Sequence, residues 1–384
     1  MNQAVTGQGS KSATVRQCNE RMILAALRRL GQASKAELAR QVNLTPNTAG
    51  QIVRDLEQQH LVCMAGKRSG LRGQPATLLQ LDPNGAYSIG IEIERGTLVS
   101  LLVDFNGSVL KSRRHQWTLP LPAETLRIVR EDIALLRRSL PPAGQARIAG
   151  IGLAVPNTFA KWQRTLDLPD ATCSAWDTFD FAGHLSDALR LPVVAENHAT
   201  AVAAAELCHG HGREIDDFAV VYIGGVIARG LVLDRGFRRG SAAGAPDILP
   251  ASLIRHLGND GVPPGSGTDP ESARPAGGAA IRDWLDLCVD SLIGPLLSMA
   301  GLLDLQAIVI DGTLPRPLLE DLIGRLRLRL LADRTDCPDL RVGTAARDAA
   351  SIGAAVLPLL CHYRPRHDLL SKHEAKRSVR LGGS

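Results

Sequence analysis

The sequence has few aromatic residues and no cysteine pattern that would hold a metal or a disulfide framework. Phe, Trp and Tyr make up 3% of the 384 residues, so the core must be built from Leu, Val, Ile and Ala. The seven cysteines are scattered without a C-x-x-C pair, which favours reduced thiols in a cytoplasmic protein. No apolar run approaches the ~20 residues that span a bilayer, so no membrane partner is expected. Residues 1–14 lack an apolar signal-peptide core and are expected to form a polar, mobile leader.

Positive charge is concentrated at the two ends of the chain. Residues 1–85 contain eleven Lys and Arg against five Asp and Glu, a net charge of +6, although the whole chain carries only +5. Residues 362–384 form a basic tail with a net charge of +4, which leaves the long middle stretch at −5. A basic segment of this size at the N-terminus is typical of proteins whose Lys and Arg contact DNA phosphates.

Residues 15–82 have the pattern of three helices followed by a β-hairpin. An apolar helix at 19–27 precedes Ser34 and Glu37, which have the spacing of a capping box for a second helix. Thr45 and Pro46 predict the N-cap and the first residue of a third helix. Two short helices joined by a tight turn fit a major groove, and the hairpin that follows fits the wing of a winged helix-turn-helix.

Polar side chains of this segment are candidates for DNA contact. Asn47, Thr48 and Gln51 lie in the first turns of the third helix, where side chains reach base edges, and Arg54 lies one turn further on. Cations around the hairpin tip would contact phosphates. The full set of predicted DNA-binding residues is Ser34, Lys35, Thr45, Asn47, Thr48, Gln51, Arg54, Lys67, Arg68 and Arg72.

After a turn at 82–85 the chain alternates between strand and helix patterns. Three consecutive strands are followed by a helix and by further βα units, and a similar order of strands and helices then starts again. Residues 86–361 are therefore predicted to form an α/β body of two lobes. The predicted strands are 88–94, 97–104, 108–116, 148–155, 192–195, 218–223, 227–233 and 306–311. The predicted helices are 123–140, 179–190, 197–208, 279–302, 316–331 and 346–360, with a loop at 258–278.

The chain resembles the ROK family, which groups bacterial sugar-responsive repressors with sugar kinases. The most specific match is a Glu-Asn pair that opens an alanine-rich helix reaching a second glutamate, here Glu196, Asn197 and Glu206. The resemblance implies a two-lobed actin-like (ribonuclease H-like) ATPase fold behind the winged helix-turn-helix. It also implies an effector site for a sugar or sugar derivative that contains Asn197, His198 and Glu206.

The departures from the family pattern concern catalysis. The resemblance implies an aspartate general base where this chain has His198, and a phosphate-loop glycine where it has Glu94. A carboxylate at that place would repel a triphosphate. The family's His/Cys₃ zinc cluster has no counterpart, because no cysteine lies between Cys208 and Cys288. We therefore expect no enzyme activity, no cofactor, and no zinc or other metal.

These observations predict a cytoplasmic, sequence-specific DNA-binding transcriptional regulator, with repression as its expected role. Its expected partners are a double-stranded DNA operator, a sugar-like effector and further copies of the chain in a homodimer or homotetramer. Two alternatives remain open, a sugar kinase that retains a DNA-binding domain and a regulator whose body is only a dimerisation scaffold. Hexose-dependent ATP turnover would identify a kinase, and stabilisation by sugars would separate a sensor from a scaffold.

Overall fold

The computed structural model describes residues 7–68, 75–156, 169–224, 227–238, 278–332, 338–345 and 348–365, with only the backbone described for 7–13, 227 and 278–280. These residues divide into two compact units. One unit contains the residues up to Ala86 and the end of the last helix from Leu359, and the other is Tyr87–Pro358. Two predicted segments lie mostly outside the described residues. Of the loop at 258–278 only Gly278 is described, and of the basic tail only the residues up to 365 are described.

The N-terminal unit contains the three helices and the hairpin predicted from the sequence. Its helices are α1 (Gly7–Leu30), α2 (Lys35–Gln41) and α3 (Pro46–Gln58), and its strands are β1 (Ala33–Ser34), β2 (Val62–Arg68) and β3 (Ala76–Leu81). The sheet order is β1-β3-β2, and the antiparallel pair β2 and β3 forms the wing. Helix α1 begins at Gly7, inside the segment 1–14 that was expected to be a mobile leader. Extending an existing helix adds one hydrogen bond per residue, so the helix continues into polar sequence.

Apolar side chains on one side of each helix form the core of this unit. In α3 the buried residues Ala49, Ile52, Val53 and Leu56 recur with the spacing of one helix face. They pack in a core whose other members include Ile23, Leu27, Leu38, Leu61, Val62 and Leu79. Burial of this face fixes the rotation of α3 and leaves its opposite, polar face exposed.

A tight turn joins α2 to α3. Helix α2 is capped at its C-terminus by Val42, and Asn43 follows with φ 52°, a left-handed conformation. Asparagine adopts this conformation more readily than other non-glycine residues because its short amide side chain hydrogen-bonds locally. The sequence predicted a short turn at this point, and its compactness keeps the two helices in contact.

The second unit contains two five-stranded sheets with helices between and around them. The first sheet has the order β6-β5-β4-β7-β8 and the second the order β11-β10-β9-β12-β13. The strands are β4 (Tyr87–Ile93), β5 (Thr97–Val103), β6 (Val109–Gln116), β7 (Ile148–Ala154), β8 (Val193–Glu196), β9 (Phe218–Ile223), β10 (Ile227–Leu233), β11 (Gly236–Phe237), β12 (Ala307–Gly312) and β13 (Asp339–Val342). The helices are α4 (Pro122–Arg138), α5 (Pro142–Gln145), α6 (Asp170–Thr178), α7 (Phe181–Leu189), α8 (His198–His209), α9 (Gly278–Leu302), α10 (Arg316–Ala332) and α11 (Ala349–Tyr363), with a short 3₁₀ turn at His211–Arg213.

The two-lobed α/β architecture agrees with the sequence analysis, which nevertheless missed four short elements. These are α5, α6, β11 and β13. Helix α5 begins at Pro142, where only the end of the preceding helix was expected. Proline is well tolerated at the first helical position, because the backbone N–H that it lacks would have no partner within the helix. Strand β13 has four residues and pairs in parallel with β12, a long-range contact that no local pattern indicates.

The alanine-rich helix α8 is buried along all but its last residue, His209. Every residue from His198 to Cys208 is buried, and neighbouring backbones approach it very closely. A Cβ atom added to Gly230 would lie 2.2 Å from the carbonyl oxygen of Ala199, and one added to Gly353 would lie 1.8 Å from that of Ala201. Small side chains are therefore required both on α8 and opposite it, which accounts for the alanine pattern in packing terms.

Helix α9 has the most apolar long sequence among the described helices, and it bears on the expectation that no apolar run is long enough to cross a membrane. Its residues Ile281–Leu302 are long and apolar enough by length and composition alone. The helix is nevertheless two-sided, because Trp284, Leu285, Cys288 and Leu292 are buried in the core of the second lobe. Charged residues occupy its exposed side, at Arg282, Asp283, Asp286 and Asp290. This pattern is that of a helix packed on a protein core.

Candidate functional sites

The candidate DNA-contact face of the N-terminal unit is the exposed side of α3. Asn47, Gln51 and Arg54 are exposed and lie at positions i, i+4 and i+7, on one face of the helix. Thr48 is also exposed and lies beside this face. The helix starts at a fixed point because the Thr45 hydroxyl accepts a hydrogen bond from the Thr48 amide at 3.2 Å. The structure therefore places these predicted residues together on one polar surface.

Ser34 and Lys35 are engaged at the start of α2. The Ser34 hydroxyl accepts from the Glu37 amide at 3.3 Å, and the Glu37 carboxylate accepts from the Ser34 amide at 2.7 Å. This is the predicted capping box, and the hydrogen bond from the Ser34 amide is the largest cause that lowers the pKa of Glu37 to about 2. Lys35 Nζ lies 4.0 Å from a carboxylate oxygen of Glu57 on α3. Both residues therefore stabilise the helix pair in addition to any contact with DNA.

The wing shares a carboxylate with the helix pair. Arg68 on β2 donates to Glu37 Oε1 at 2.8 Å, and its side chain remains 55% exposed. Lys67 beside it is exposed, whereas Arg72 lies outside the described residues. No sequence pattern indicated that Glu37 would pair with Arg68 of the wing as well as cap α2. Ion pairs as exposed as this one contribute about 0–1 kcal/mol, so a DNA phosphate could replace the carboxylate at small cost.

A second candidate site lies at the carboxyl ends of the parallel strands in the other unit. The register aligns Glu92 on β4 with Ala154 on β7, and Ala154 with Glu196 on β8. Asn197 and His198 follow β8 immediately; β7 lies between β8 and β4, and His198 reaches Glu94, just beyond the end of β4, at 3.3 Å. Tyr222 on β9 is aligned with Asp311 on β12 in the second sheet. Ligands of open α/β sheets bind at such strand ends.

Buried polar groups meet at this place. The Tyr222 hydroxyl donates to Glu94 Oε1 at 3.1 Å, and the Tyr222 ring stacks on the ring of His198 with centroids 5.3 Å apart. His198 Nε2 lies 3.3 Å from the same glutamate oxygen. Glu92, Glu94, His198, Tyr222 and Asp311 are all buried, with exposed fractions of 6% or less. We call these five residues the acidic cluster.

Burial changes the protonation of the acidic cluster. It is the main cause that raises the pKa values of Glu92 and Glu94 to about 7 each. Burial likewise raises the pKa of Asp311 to about 7 and lowers the pKa of His198. The neighbouring carboxyl groups of Glu92 and Glu94 disfavour an anionic ligand such as a triphosphate and suit a neutral polyol or a cation.

The predicted effector residues are only partly brought together. Asn197 caps α8 through Oδ1, which accepts from the Thr200 amide at 2.8 Å, and it lies next to His198. Glu206 lies nine positions along the helix from Asn197, a distance of about 13 Å. Its carboxylate accepts hydrogen bonds from the His211 amide and from Thr344, so it faces a different part of the unit. The structure thus joins Asn197 and His198 but not Glu206.

The sequence analysis did not assign Glu92, Tyr222 or Asp311 to this site. Glu92 and Glu94 stand at i and i+2, so both side chains lie on one face of the chain at the end of β4, and this spacing was a usable signal. Tyr222 and Asp311 carried no comparable signal. Their proximity depends on the parallel pairing of β9 with β12.

Each of the two units contains a stretch that matches a known protein family. Residues 88–248 match the ROK family, and residues 19–62 match the winged helix-turn-helix DNA-binding family. The chain is 24% identical over 226 residues to the xylose repressor of Bacillus spizizenii, an alignment that covers 59% of this chain and 58% of the repressor. The match thus spans little more than half of that relative's length.

Solved structures share the fold. A ROK family transcriptional regulator described as a homologue of the Escherichia coli Mlc protein superposes with a TM-score of 0.61 at 17% identity, covering 91% of this chain and 97% of that one. A ROK family glucokinase from Streptomyces griseus, solved with glucose and AMPPNP, superposes with a TM-score of 0.54 at 19% identity, covering 71% of this chain and 99% of that one. These likenesses confirm the predicted fold of a winged helix-turn-helix followed by an actin-like body. The chain is therefore similar to a winged helix-turn-helix protein over residues 19–62 and to the ROK family over residues 88–248.

Proposed function

We propose that the protein is a sequence-specific DNA-binding repressor whose ROK domain responds to a sugar or sugar derivative without phosphorylating it. The observation that carries this proposal is the exposed polar face of α3, where Asn47, Gln51 and Arg54 lie opposite the buried face of the helix. A capped helix with amide and guanidinium groups on its free side has the donors and acceptors that read base edges in a major groove.

Surface cations provide the expected phosphate contacts. Lys67 and Arg68 lie on the wing strand β2, and Lys35 lies at the start of α2. Lys35 and Arg68 are paired with glutamates on the protein surface, and DNA phosphates would compete for the same cations. Binding should therefore combine base reading by α3 with a salt-dependent contribution from the wing.

The effector proposal rests on Asn197 and on the charge of the nearby carboxyl groups of Glu92 and Glu94. Asn197 uses Oδ1 to cap α8, which leaves its side-chain amide group as a donor beside His198, the next residue in the chain. Carboxyl groups accept hydrogen bonds from sugar hydroxyls but repel sugar phosphates. A neutral sugar is the effector class that fits best, and the name of the xylose repressor relative points in the same direction.

Two features argue against phosphoryl transfer. Glu94 and Tyr222 occupy the end of β4, where the resemblance to family kinases implies a loop that admits phosphates. His198 stands where those kinases place an aspartate base, and burial lowers its pKa. The likeness to the glucokinase is a likeness of fold alone, so it does not favour the kinase alternative.

We further propose that the protein acts in the cytoplasm as a homodimer or homotetramer. A twofold assembly would present two copies of α3 to the half-sites of a palindromic operator about one helical turn apart. Light scattering of the purified chain, free and on DNA, would measure the number of copies.

The deciding experiment is selection of genomic DNA fragments by the full-length protein. Enrichment of a common, palindromic sequence, lost in the double variant Asn47→Ala/Gln51→Ala, is the expected result. Retention of fragments without a common sequence would overturn the proposal of a sequence-specific regulator. On the selected site, pentoses and hexoses should then be screened for release of DNA.

Asn197→Ser provides the effector control. Serine is as good an N-cap as asparagine, so α8 should keep its start while the amide donor is lost. We expect this variant to bind the operator normally and to lose its response to the sugar. A retained response would show that Asn197 does not contact the effector.

A further inference from the structure

Three side chains of the acidic cluster have the arrangement of a metal-binding site. Ligand atoms of Glu92, Glu94 and His198 all lie within 4.8 Å of one another. Metal–ligand bonds of about 2.0–2.2 Å place ligand atoms up to roughly 4 Å apart, so only a small contraction would close the set around an ion. All three side chains are at least nine-tenths buried, and they come from the end of β4 and the start of α8.

The imidazole of His198 provides an independent indication of a missing ligand. Its ring is 0% exposed; the backbone of Ile93 interacts with the ring, but neither Nδ1 nor Nε2 makes a hydrogen bond of normal geometry. Nε2 lies 3.3 Å from Glu94 Oε1, so it points into the carboxylate pair without making a hydrogen bond. Buried polar atoms almost always have a partner, and an imidazole aimed at two carboxylates fits a shared cation.

Apart from His198, which acts on Glu92 electrostatically, no Lys or Arg side chain among the described residues forms an ion pair with Glu92 or Glu94. Arg114 acts on Glu92 electrostatically but forms its own ion pair with Asp348. The Tyr222 hydroxyl donates to Glu94 and supplies no charge. Buried carboxylates are commonly balanced by a partner of opposite charge or by a metal ion.

We propose that Glu92, Glu94 and His198 bind one divalent transition-metal ion of the manganese or zinc class. One imidazole and two carboxylates suit these ions, whereas calcium and magnesium prefer sites made only of oxygen ligands. The ion would join the end of β4 to the start of α8. The site differs from the cysteine-containing zinc cluster that the sequence lacks, and it departs from the expectation that the protein holds no metal.

The test is titration of the chelator-treated, full-length protein with manganese. Bound Mn²⁺ loses the sharp electron paramagnetic resonance signal of the free ion, so the signal gives the stoichiometry without interference from the cysteines. We expect one equivalent to bind and to raise the melting temperature by roughly 5 °C at a hundredfold excess over the dissociation constant. Calcium and magnesium should produce a much smaller shift. Absence of saturable manganese binding would overturn the proposal.

Two variants and one control assign the site. Glu94→Gln and His198→Gln keep the size of each side chain and remove a ligand, so each should weaken manganese binding at least tenfold. His115→Gln is the control, because His115 lies 2.9 Å from an oxygen of the buried Asp132 in another carboxylate–histidine pair, although the His115 side chain is 30% exposed. Unchanged binding in Glu94→Gln, or an equal loss in His115→Gln, would place the ion elsewhere and refute the assignment. Glu94→Gln decides the question if His198→Gln does not fold.

Discussion

The carboxylate of Glu206 accepts two hydrogen bonds from Thr344, one from its amide at 2.6 Å and one from its hydroxyl at 2.8 Å. The other oxygen of Glu206 accepts from the His211 amide at 3.0 Å. Three donors thus hold this buried side chain, and they join the C-terminal half of α8 to the segment after β13. The residue that the family resemblance implied for an effector site therefore has a structural role in this chain.

Glu206→Gln should lower the stability of the second unit, Tyr87–Pro358. Glutamine can accept at one oxygen only, so at least one of the three donors loses its partner. Because hydrogen bonds to charged groups contribute about 1.5–3 kcal/mol, we expect the free energy of unfolding to fall by about 1–3 kcal/mol, measured by urea denaturation. Thr344→Val removes only the hydroxyl donor and should cost less than Glu206→Gln. Equal stability of Glu206→Gln and the unmodified chain would contradict the structural role.

Base reading by α3 is the second prediction. Asn47→Ala and Gln51→Ala should each weaken binding to the selected operator by about 1–3 kcal/mol and weaken binding to random DNA much less. Gln59→Ala is the control, because Gln59 is exposed but caps the other end of the helix. Fluorescence anisotropy on both DNAs measures the effect. Losses of the same size on both DNAs would indicate phosphate contact instead of base reading.

The wing cation Lys67 should contribute affinity without specificity. Its replacement by Ala should weaken binding to all DNA sequences similarly and reduce the slope of log K against log salt by about 1, since one fewer phosphate is neutralised. Lys111→Ala, which removes an exposed lysine of the ROK domain, is the control and should leave the slope unchanged. An unaltered slope for Lys67→Ala would show that this residue does not contact DNA.

Absence of phosphoryl transfer is the fourth prediction. The purified protein should release no ADP from ATP in a hexose-dependent manner, and His198→Asp should not restore activity because Glu94 and Tyr222 still occupy the end of β4. A coupled ADP assay with a ROK glucokinase as positive control makes this measurement. Hexose-dependent ADP release that His198→Ala abolishes would establish the kinase alternative.

Local features of the fold could be predicted because their causes lie within a few residues. Ser34 with Glu37, and Thr45 with Thr48, form the predicted caps, since each hydrogen bond spans three positions in the chain. Asn197 likewise caps α8 through Thr200. Predicted ends of helices and strands fell close to the observed ones where capping residues or turns mark them.

The long-range contacts of the buried polar side chains could not be predicted in the same way. Glu206 and Thr344 are 138 positions apart, and the contact of Tyr222 with Glu94 spans 128 positions. Such contacts depend on strand register and on the stacking of α8 between other elements, and a single sequence does not encode these in any local pattern. The sequence did identify Glu94 and His198 as departures from the kinase pattern, but not their contact with each other.

The stability of the second unit, Tyr87–Pro358, should depend on the ionisation of Asp311. Burial, as the largest cause, raises the pKa of this carboxyl to about 7 from an ordinary value of 3.8; Glu206 raises it further, and Arg316 and the Gly312 amide lower it. A group whose pKa is raised by folding favours the folded state most at a pH below its unfolded value. That contribution decreases as the pH rises from about 4 and is lost above about 7.

Asp311→Asn should therefore stabilise the protein at alkaline pH relative to the unmodified chain. The asparagine keeps an oxygen that can accept from the Gly312 amide, as Asp311 Oδ1 does at 2.7 Å, but it cannot ionise. We expect the difference in melting temperature to be smallest at pH 4 and to grow up to about pH 7, with a free-energy change of at most about 4 kcal/mol. Asp283→Asn, which changes an exposed carboxylate on α9, should show no such trend. A constant difference across this pH range would mean that Asp311 is already ionised in the folded protein at acidic pH.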